Sequence, residues 1–492
     1  MMFVPKIRLF NIPIILNIIG KVLLIEAATL IIPLIVCLIY GEDDWMAFTI
    51  VAGTTAMTGL ALVGFVRIDR TAMSANDGIL ITALSWLVVA VFGAAPFLIS
   101  THPVSVTDAL FESMSGFTTT GASAMTDIDH LGYGMNMWRA LTQLIGGIGI
   151  ITFTLVLVPM LNKPSGMRLM AAESTDFSID KTTPRIKQTA RNLSIVYFGL
   201  TLICTLFLWA GPMSLYESLI HAFATLSTGG FSSYGSSIMH FDSLYIKIVL
   251  IIFMFLGATN FTLIVYAGKG DFSPILRNIT VRVYVYTILI FLLLFIGAFT
   301  ILDIPFTFEG SIVDPLFQII STITSTGFSC ADFEKWGPLV LLMLFILMYS
   351  GACAGSTSGG VKLDRMIVFF KSSRNEISST INRNTMFTVK DGDKTLAPYS
   401  ISRIVTFMGI YAFTLLLGGL TIAAMGVDTS DSFFASFSCT SNIGLGYGIT
   451  GVNGSYSLLP VAARWILIFL MYAGRLELMA IFVLFVPSFW RR

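Results

Sequence analysis

"DPLFQIISTITSTGFSCADF", residues 314–333, sits between two long apolar runs. It contains no acid–base pair and no metal-ligand spacing. Its core, "TSTGF" at 324–328, is a run of hydroxyls ended by one glycine. Three other segments repeat the design: "VTDALFESMSGFTTTGAS" (106–123), "SLYESLIHAFATLSTGGFS" (214–232) and "TSDSFFASFSCTSNIGLG" (429–446). Aligned on Gly121, Gly229, Gly327 and Gly444, they are spaced 108, 98 and 117 residues apart. Thirteen residues before the glycine stand Asp108, Tyr216, Asp314 and Asp431, with an acid, Glu217, displaced by one place in the second copy. Ten before stand Phe111, Leu219, Phe317 and Phe434. Two before are Thr119, Ser227, Ser325 and Asn442; one before are Thr120, Thr228, Thr326 and the exception, Ile443. A period of about 100 residues with a span on either side of each copy is an internal repeat of span, short helix, turn and span.

The surroundings are those of a membrane. Of 492 residues, 55% are hydrophobic and 12% charged, with mean hydropathy +0.84. A soluble chain carries about 25% charged residues, so this one cannot cover itself with polar surface. A net charge of +1 implies no polyelectrolyte partner, nucleic acid included. The five scattered cysteines show no zinc spacing and no disulfide framework. The first apolar run is longer than a signal-peptide core and is expected to be a retained helix.

Crossing a bilayer takes about 20 apolar residues. Candidate spans are 12–40, 46–66, 78–99, 137–161, 191–211, 243–267, 281–302, 337–371, 400–425 and 461–489. One set of connecting loops holds most of the lysines and arginines, from Lys6 and Arg8 to Lys390 and Lys394. The other set (41–45, 100–136, 212–242, 303–336 and 426–460) holds only Lys335. The positive-inside rule makes the first set cytoplasmic and, with Arg491 and Arg492, puts both termini there.

Each short helix is expected to run about 10 residues, or about 15 Å, halfway into the bilayer. Non-helical backbone at that depth survives only when buried in protein or lining water. Four such turns around an axis can aim carbonyl oxygens at a dehydrated monovalent cation, with helix C-terminal ends adding partial negative charge.

These residues resemble the TrkH-type subunit of bacterial potassium uptake systems, in the superfamily that includes the KtrB and HKT proteins. The resemblance covers nearly the whole chain. It is carried by "LFESMSGFTTTGA", "STGGFS", "TSTGF", "SNIGLG", the glycine loop "GACAGSTSGG" (351–360) and the final "GRLELMAIFVLFVPSFW" (474–490). It implies an all-α polytopic membrane protein with four pseudo-symmetric repeats of outer helix, pore helix, filter and inner helix around a central pore. Two extra transmembrane helices come first (1–70). The repeats fall at 71–165, 186–270, 278–372 and 400–492, with a cytosolic linker at 373–399. It also implies an inner-membrane homodimer with cytosolic nucleotide-binding TrkA-type regulatory subunits, potassium as substrate, and no cofactor.

Carried over, the ion-coordinating residues are Thr118, Thr119, Thr120 and Gly121; Ser227, Thr228 and Gly229 (to Gly230); Thr324, Ser325, Thr326 and Gly327 (to Phe328); and Asn442, Ile443 and Gly444 within Ser441–Leu445. Each turn has one filter glycine rather than the TVGYG of potassium channels, and Ile443 interrupts the hydroxyls of the fourth.

Two other features stand out. Gly351, Gly355, Gly359 and Gly360, with Ser356, Thr357 and Ser358 between them, interrupt the eighth span. The residues read either as a broken helix or as GxxxG packing; the resemblance implies a gate under the filter. Arg475 lies mid-span, where an arginine needs a cavity or a partner. A salt bridge to another span and a cation beside the pore are both open. Lys21 and Glu26 read as a structural pair or as snorkelling ends. Three functions compete: a cation-conducting pore, a proton- or sodium-coupled potassium symporter, and a membrane enzyme. The chain lacks HExxH and any Ser–His set, and no span has a carboxylate pair at helical spacing. These absences favour the pore.

Overall fold

The computed structural model describes residues 10–66, 75–161, 179–381, 388–391, 394–451 and 454–490, with backbone alone for 75, 150–161, 179–187, 390, 391 and 394. The terminal charges Lys6, Arg8, Arg491 and Arg492 lie outside the described residues, as do Arg67, Arg70, Lys163, Arg168 and Arg383.

Three helices, Ile12–Thr29, Ile31–Tyr40 and Trp45–Phe65, form an N-terminal hairpin whose first arm breaks at Leu30. Gly20 and Gly59 bring its two arms together so closely that a methyl on either would meet the other's carbonyl, the small-residue contact that holds helices together in lipid. Four units follow, each an outer helix, a short helix and an inner helix. The outer helices are Ala75–Ile99, Ile179–Trp209, Ile279–Ile301 and Pro398–Ala423. The short ones are Val106–Phe117, Leu215–Leu226, Asp314–Ile323 and Thr429–Thr440. Apolar side chains such as Leu202, Leu293 and Phe413 face outward, whereas the short helices are buried almost throughout. This inversion of the soluble pattern is what a lipid solvent demands.

The inner elements depart from simple spans. Tyr133–Leu161 is a continuous helix. The expected span 243–267 bends by 105° between Leu244–Gly257 and Phe261–Gly268, and 461–489 bends by 106° between Val461–Arg475 and Met479–Phe485. Asn260 causes the first break, because its Oδ1 accepts from Thr262 N (2.8 Å) and starts a new helix. At the second, Glu477 and Leu478 adopt positive φ, 58° and 38°. The span 337–371 is helical only at Pro338–Tyr349 and from Leu363 onward, with irregular backbone between. Six described helices are long and apolar enough to cross alone, or up to eight if each bent pair is one span, against the ten expected. A small hairpin, Lys390–Asp391 with Lys394–Thr395, lies in the linker.

Lys21 and Glu26 do not pair. Lys21 is exposed, while Glu26 is buried with no hydrogen-bond partner for either carboxylate oxygen among the described residues.

Candidate functional site: a fourfold ring of turns and the loop beneath it

The short helices begin with side-chain caps and end in a shared motif. Ser105, Ser214 and Asp428 accept from first-turn amides. The third helix instead continues from a π-turn, Glu309–Val313. The acids tie each short helix to its surroundings. Asp108 pairs with Arg464 of the fourth inner helix, and Asp314 with Lys247 of the second (2.7 Å).

At the other end, the amides of Thr120, Gly229, Thr326 and Ile443 reach back to the carbonyls of Ser115, Ala224, Ser321 and Ser438 at 2.8–2.9 Å. The residue before each amide is left-handed: Thr119, Thr228, Ser325 and Asn442 have φ of 49–55°. This six-to-one bond around a left-handed residue is the Schellman arrangement. It occurs here four times without glycine at the left-handed position. Each left-handed residue costs roughly 1–2 kcal/mol, strain of the kind concentrated at functional sites.

A second left-handed position follows two residues later, at Gly121, Gly230, Gly327 and Gly444, with φ of 74–84°. This corrects the sequence alignment. In the second unit Gly230, not Gly229, matches the others, and Gly229 stands where the others have Thr120, Thr326 and Ile443. The correction also brings Glu217 into register with Asp108, Asp314 and Asp431.

The four units close into a ring. A methyl on Gly121 would collide with the carbonyl oxygen of Gly229, one on Gly230 with that of Thr326, one on Gly327 with that of Ile443, and one on Gly444 with that of Thr120. The contacts run from the first unit through the fourth and back to the first. Thr118 and Thr120 share a hydroxyl hydrogen bond of 2.8 Å, as do Thr324 and Thr326. Asn442 Nδ2 donates to Thr120 Oγ1 across the seam (2.9 Å). All these side chains are buried; Ser227 and Ser441 lie just beneath.

Gly230→Ala is therefore expected to damage the ring more than Gly229→Ala. The first forces an L side chain to φ 74° against the backbone of the next repeat; the second, at ordinary φ, meets the Gln143 amide, a side chain that can shift at the cost of its own hydrogen bonds. Comparing ion flux and selectivity of the two purified variants checks this, and equal effects would count against the corrected register.

Above the ring lies a cavity of about 330 Å³ that all four left-handed glycines line, together with Asp127 and Asp129. The hydrogen bond from His130 holds the Asp127 carboxyl below its ordinary pKa, so it stays anionic. Below the ring lies the glycine segment, which is a loop and not a packed GxxxG helix. Gly359 N donates to Ser325 Oγ (2.5 Å), and Thr357 Oγ1 donates to the carbonyls of Leu226 and Gly257 (3.0 Å each). Asn260 Nδ2 holds Ala354 O (2.7 Å). Gly351 and Gly360 cross at its neck, where Gly351 N donates to Val361 O (2.8 Å), and Gly355 turns with φ 75°. Ser356 bonds back to Cys353 O.

Arg475 reaches this loop. Its Nη1 donates to Thr357 O (2.8 Å), the side chain is buried, and its Nε and Nη2 find no partner among the described residues. No carboxylate pairs with it among those residues; the neighbouring Glu477 pairs with Arg365 (2.6 Å). A cavity of about 160 Å³ under the loop is lined by Ser356, Lys362, Arg365, Arg475 and Glu477. No metal-binding group of His, Cys, Asp or Glu occurs among the described residues.

These features define a class: a polytopic membrane protein of four repeats in one chain, whose re-entrant turns meet in a single ring. The chain belongs to the TrkH family, described as cation transport proteins, which it matches over residues 48–268 and 273–492. That is a family of transporters and not of enzymes. The Trk system potassium uptake protein TrkH of Escherichia coli K12 is 32% identical over 481 residues, 96% of this chain and 98% of that one. The protein of the same name from Halomonas elongata is 33% identical over 489 residues, 97% and 99% of the two chains. The crystal structure of the potassium transporter TrkH from Vibrio parahaemolyticus superposes with a TM-score of 0.90 at 28% identity, covering 98% of this chain and 100% of that one.

Proposed function

We propose that this chain is the ion-conducting subunit of a potassium uptake system. The observation that carries the reading is the cyclic closure of the four turns, which places one backbone carbonyl from each repeat on a common ring. Four carbonyls can replace the water shell of a potassium ion. The filter comprises Thr118–Gly121, Ser227–Gly230, Thr324–Gly327 and Asn442–Gly444, and the hydroxyls beneath the ring add ligands. Asp127 and Asp129 draw cations into the vestibule. Potassium is the substrate, consistent with the relatives' names.

The loop Gly351–Gly360 and Arg475 act as the gate. The loop obstructs the axis and Arg475 pins it through Thr357. The loop charges support a protein of the bacterial inner membrane with both termini cytoplasmic. Homodimers docked on TrkA-type nucleotide-binding subunits, with the basic loop 362–399 as a contact, complete the system. The repeats are bounded at 71–165, 186–270, 278–372 and 400–492.

Radioactive rubidium uptake into proteoliposomes, with and without an imposed proton gradient, tests the mechanism. The expected result is uptake down the rubidium gradient, competed by potassium more than by sodium, and indifferent to the proton gradient. Uptake only when a proton or sodium gradient is present would make the chain a coupled symporter. No rubidium uptake in either case would reject the pore.

A further inference from the structure

The four repeats share a ring, yet they are not held from behind in the same way. The difference is visible at two positions counted from the left-handed glycine. Nine residues before it stand Glu112, His221, Gln318 and Ala435; two residues after it stand Ser123, Ser232, Ser329 and Gly446. In the first two repeats the earlier side chain reaches the later residue. In the second, His221 Nε2 meets Ser232 Oγ at 3.0 Å, a neutral contact. In the third, both amide atoms of Gln318 lack partners among the described residues. In the fourth, alanine and glycine offer nothing.

The first repeat differs in kind. Glu112, fully buried, accepts from Ala124 N (2.9 Å) and from Ser123 Oγ (3.0 Å), both on the exit strand of its own turn. It also accepts from Arg139 Nε (2.7 Å). Arg139, on the first inner helix and equally buried, sends Nη1 to Ser232 O (2.9 Å), the exit strand of the next repeat. Its guanidinium lies 4.3 Å from the centre of the Phe231 ring. One helical turn further, Gln143 Nε2 donates to Gly229 O (2.7 Å), and its Oε1 accepts from Phe231 N (3.2 Å). Gly229 O is one of the four carbonyls of the ring.

We infer that Glu112, Arg139 and Gln143 form a charge-assisted brace that fixes the ring between the first and second repeats and so sets its ion selectivity. The inference rests on the pore reading above and assigns positioning residues within it. None of the three contacts the ion. Glu112 and Arg139 lock two adjacent exit strands together, and charged hydrogen bonds in a buried site are short and stiff. Gln143 occupies one lone pair of Gly229 O and fixes the direction of the other. Potassium and sodium differ mainly in the carbonyl spacing and field they need, so a ring free to contract on one side should discriminate less. A lysine could not replace Arg139, because only the planar guanidinium serves several acceptors at once.

The experiment uses the full-length protein in proteoliposomes and measures the ratio of potassium to sodium flux per folded protein. The neutral double variant E112Q/R139Q avoids stranding a lone buried charge. Its selectivity ratio is expected to fall by about tenfold or more, the equivalent of one lost charge-assisted hydrogen bond. Q143M removes no charge and guards against a misfolded double variant; its ratio should fall several-fold. R139K should resemble the double variant and not the wild type. A merely structural ion pair would lower the yield of folded protein and leave the ratio of what folds unchanged. Wild-type selectivity in folded E112Q/R139Q, or in folded Q143M if the double variant does not fold, overturns the brace. Failure of the wild type itself to conduct would strike the pore reading instead, so the two failures are separable.

Discussion

Gly327→Ala is expected to abolish selective flux while leaving the protein folded. Two effects act together. At φ 84° an L side chain is strained by roughly 1–2 kcal/mol. The added methyl also meets the Ile443 carbonyl of the next repeat, which is backbone and cannot swing aside. Relief requires moving the carbonyl that the ring presents, so the loss falls on ion coordination more than on stability. Each 1.4 kcal/mol of lost preference is about a tenfold change in rate ratio, and displacing one of four ligands should exceed that. Gly297→Ala is the control, because Gly297 has ordinary φ and open space around it. Potassium and sodium flux in vesicles made from purified protein checks the result. A Gly327→Ala protein with wild-type selectivity would remove the filter assignment.

Arg475→Ala should raise flux by tenfold or more. On the gate reading the residue would act twice: its Nη1 donates to Thr357 O of the loop, and its charge would oppose a passing cation. At about 6 Å and an effective dielectric near 20, the repulsion is roughly 3 kcal/mol, reduced by pore water. Since no carboxylate pairs with Arg475 among the described residues, its removal should not strand a buried charge, and thermal stability should fall little. Arg475→Lys keeps the charge and can keep one bond to Thr357, so most of the block should remain. Flux and melting temperature measured on the same preparation separate the possibilities. A destabilised Arg475→Ala with unchanged or lower flux would make the arginine a structural residue.

The repeat was legible because four turns share hydroxyls, glycine and flanking spans. The register of the second was not, because "STGG" offers two adjacent glycines and only backbone conformation separates them. One cue was present: Glu217 stood one place out of line. The bends at Ala258–Asn260 and Leu476–Leu478 were hidden because the long apolar runs on either side outweigh the few polar residues at each bend, and hydropathy reports solvent preference without direction. The glycine loop was half-legible, since the same spacing serves a packed helix or a broken one; its contacts to Ser325 and Leu226 decide for the latter. The partners Glu112–Arg139 and Arg365–Glu477 lie 27 and 112 residues apart. Such pairings are set by tertiary packing, and no local pattern announces them.

Because the ring is drawn from one polypeptide, a substitution enters it once. In an assembly of four identical subunits every change arrives in quadruplicate, and a small local error becomes a symmetric one. Here Ile443 can stand where two other repeats have threonine, and Ala435 where another has a buried carboxylate, because the other three quadrants are left as they were. Four repeats in one chain thus make the ring four separately adjustable walls. Selection can tune such an opening in steps of one quarter, with coordination drifting gradually between a strict sieve and a permissive one.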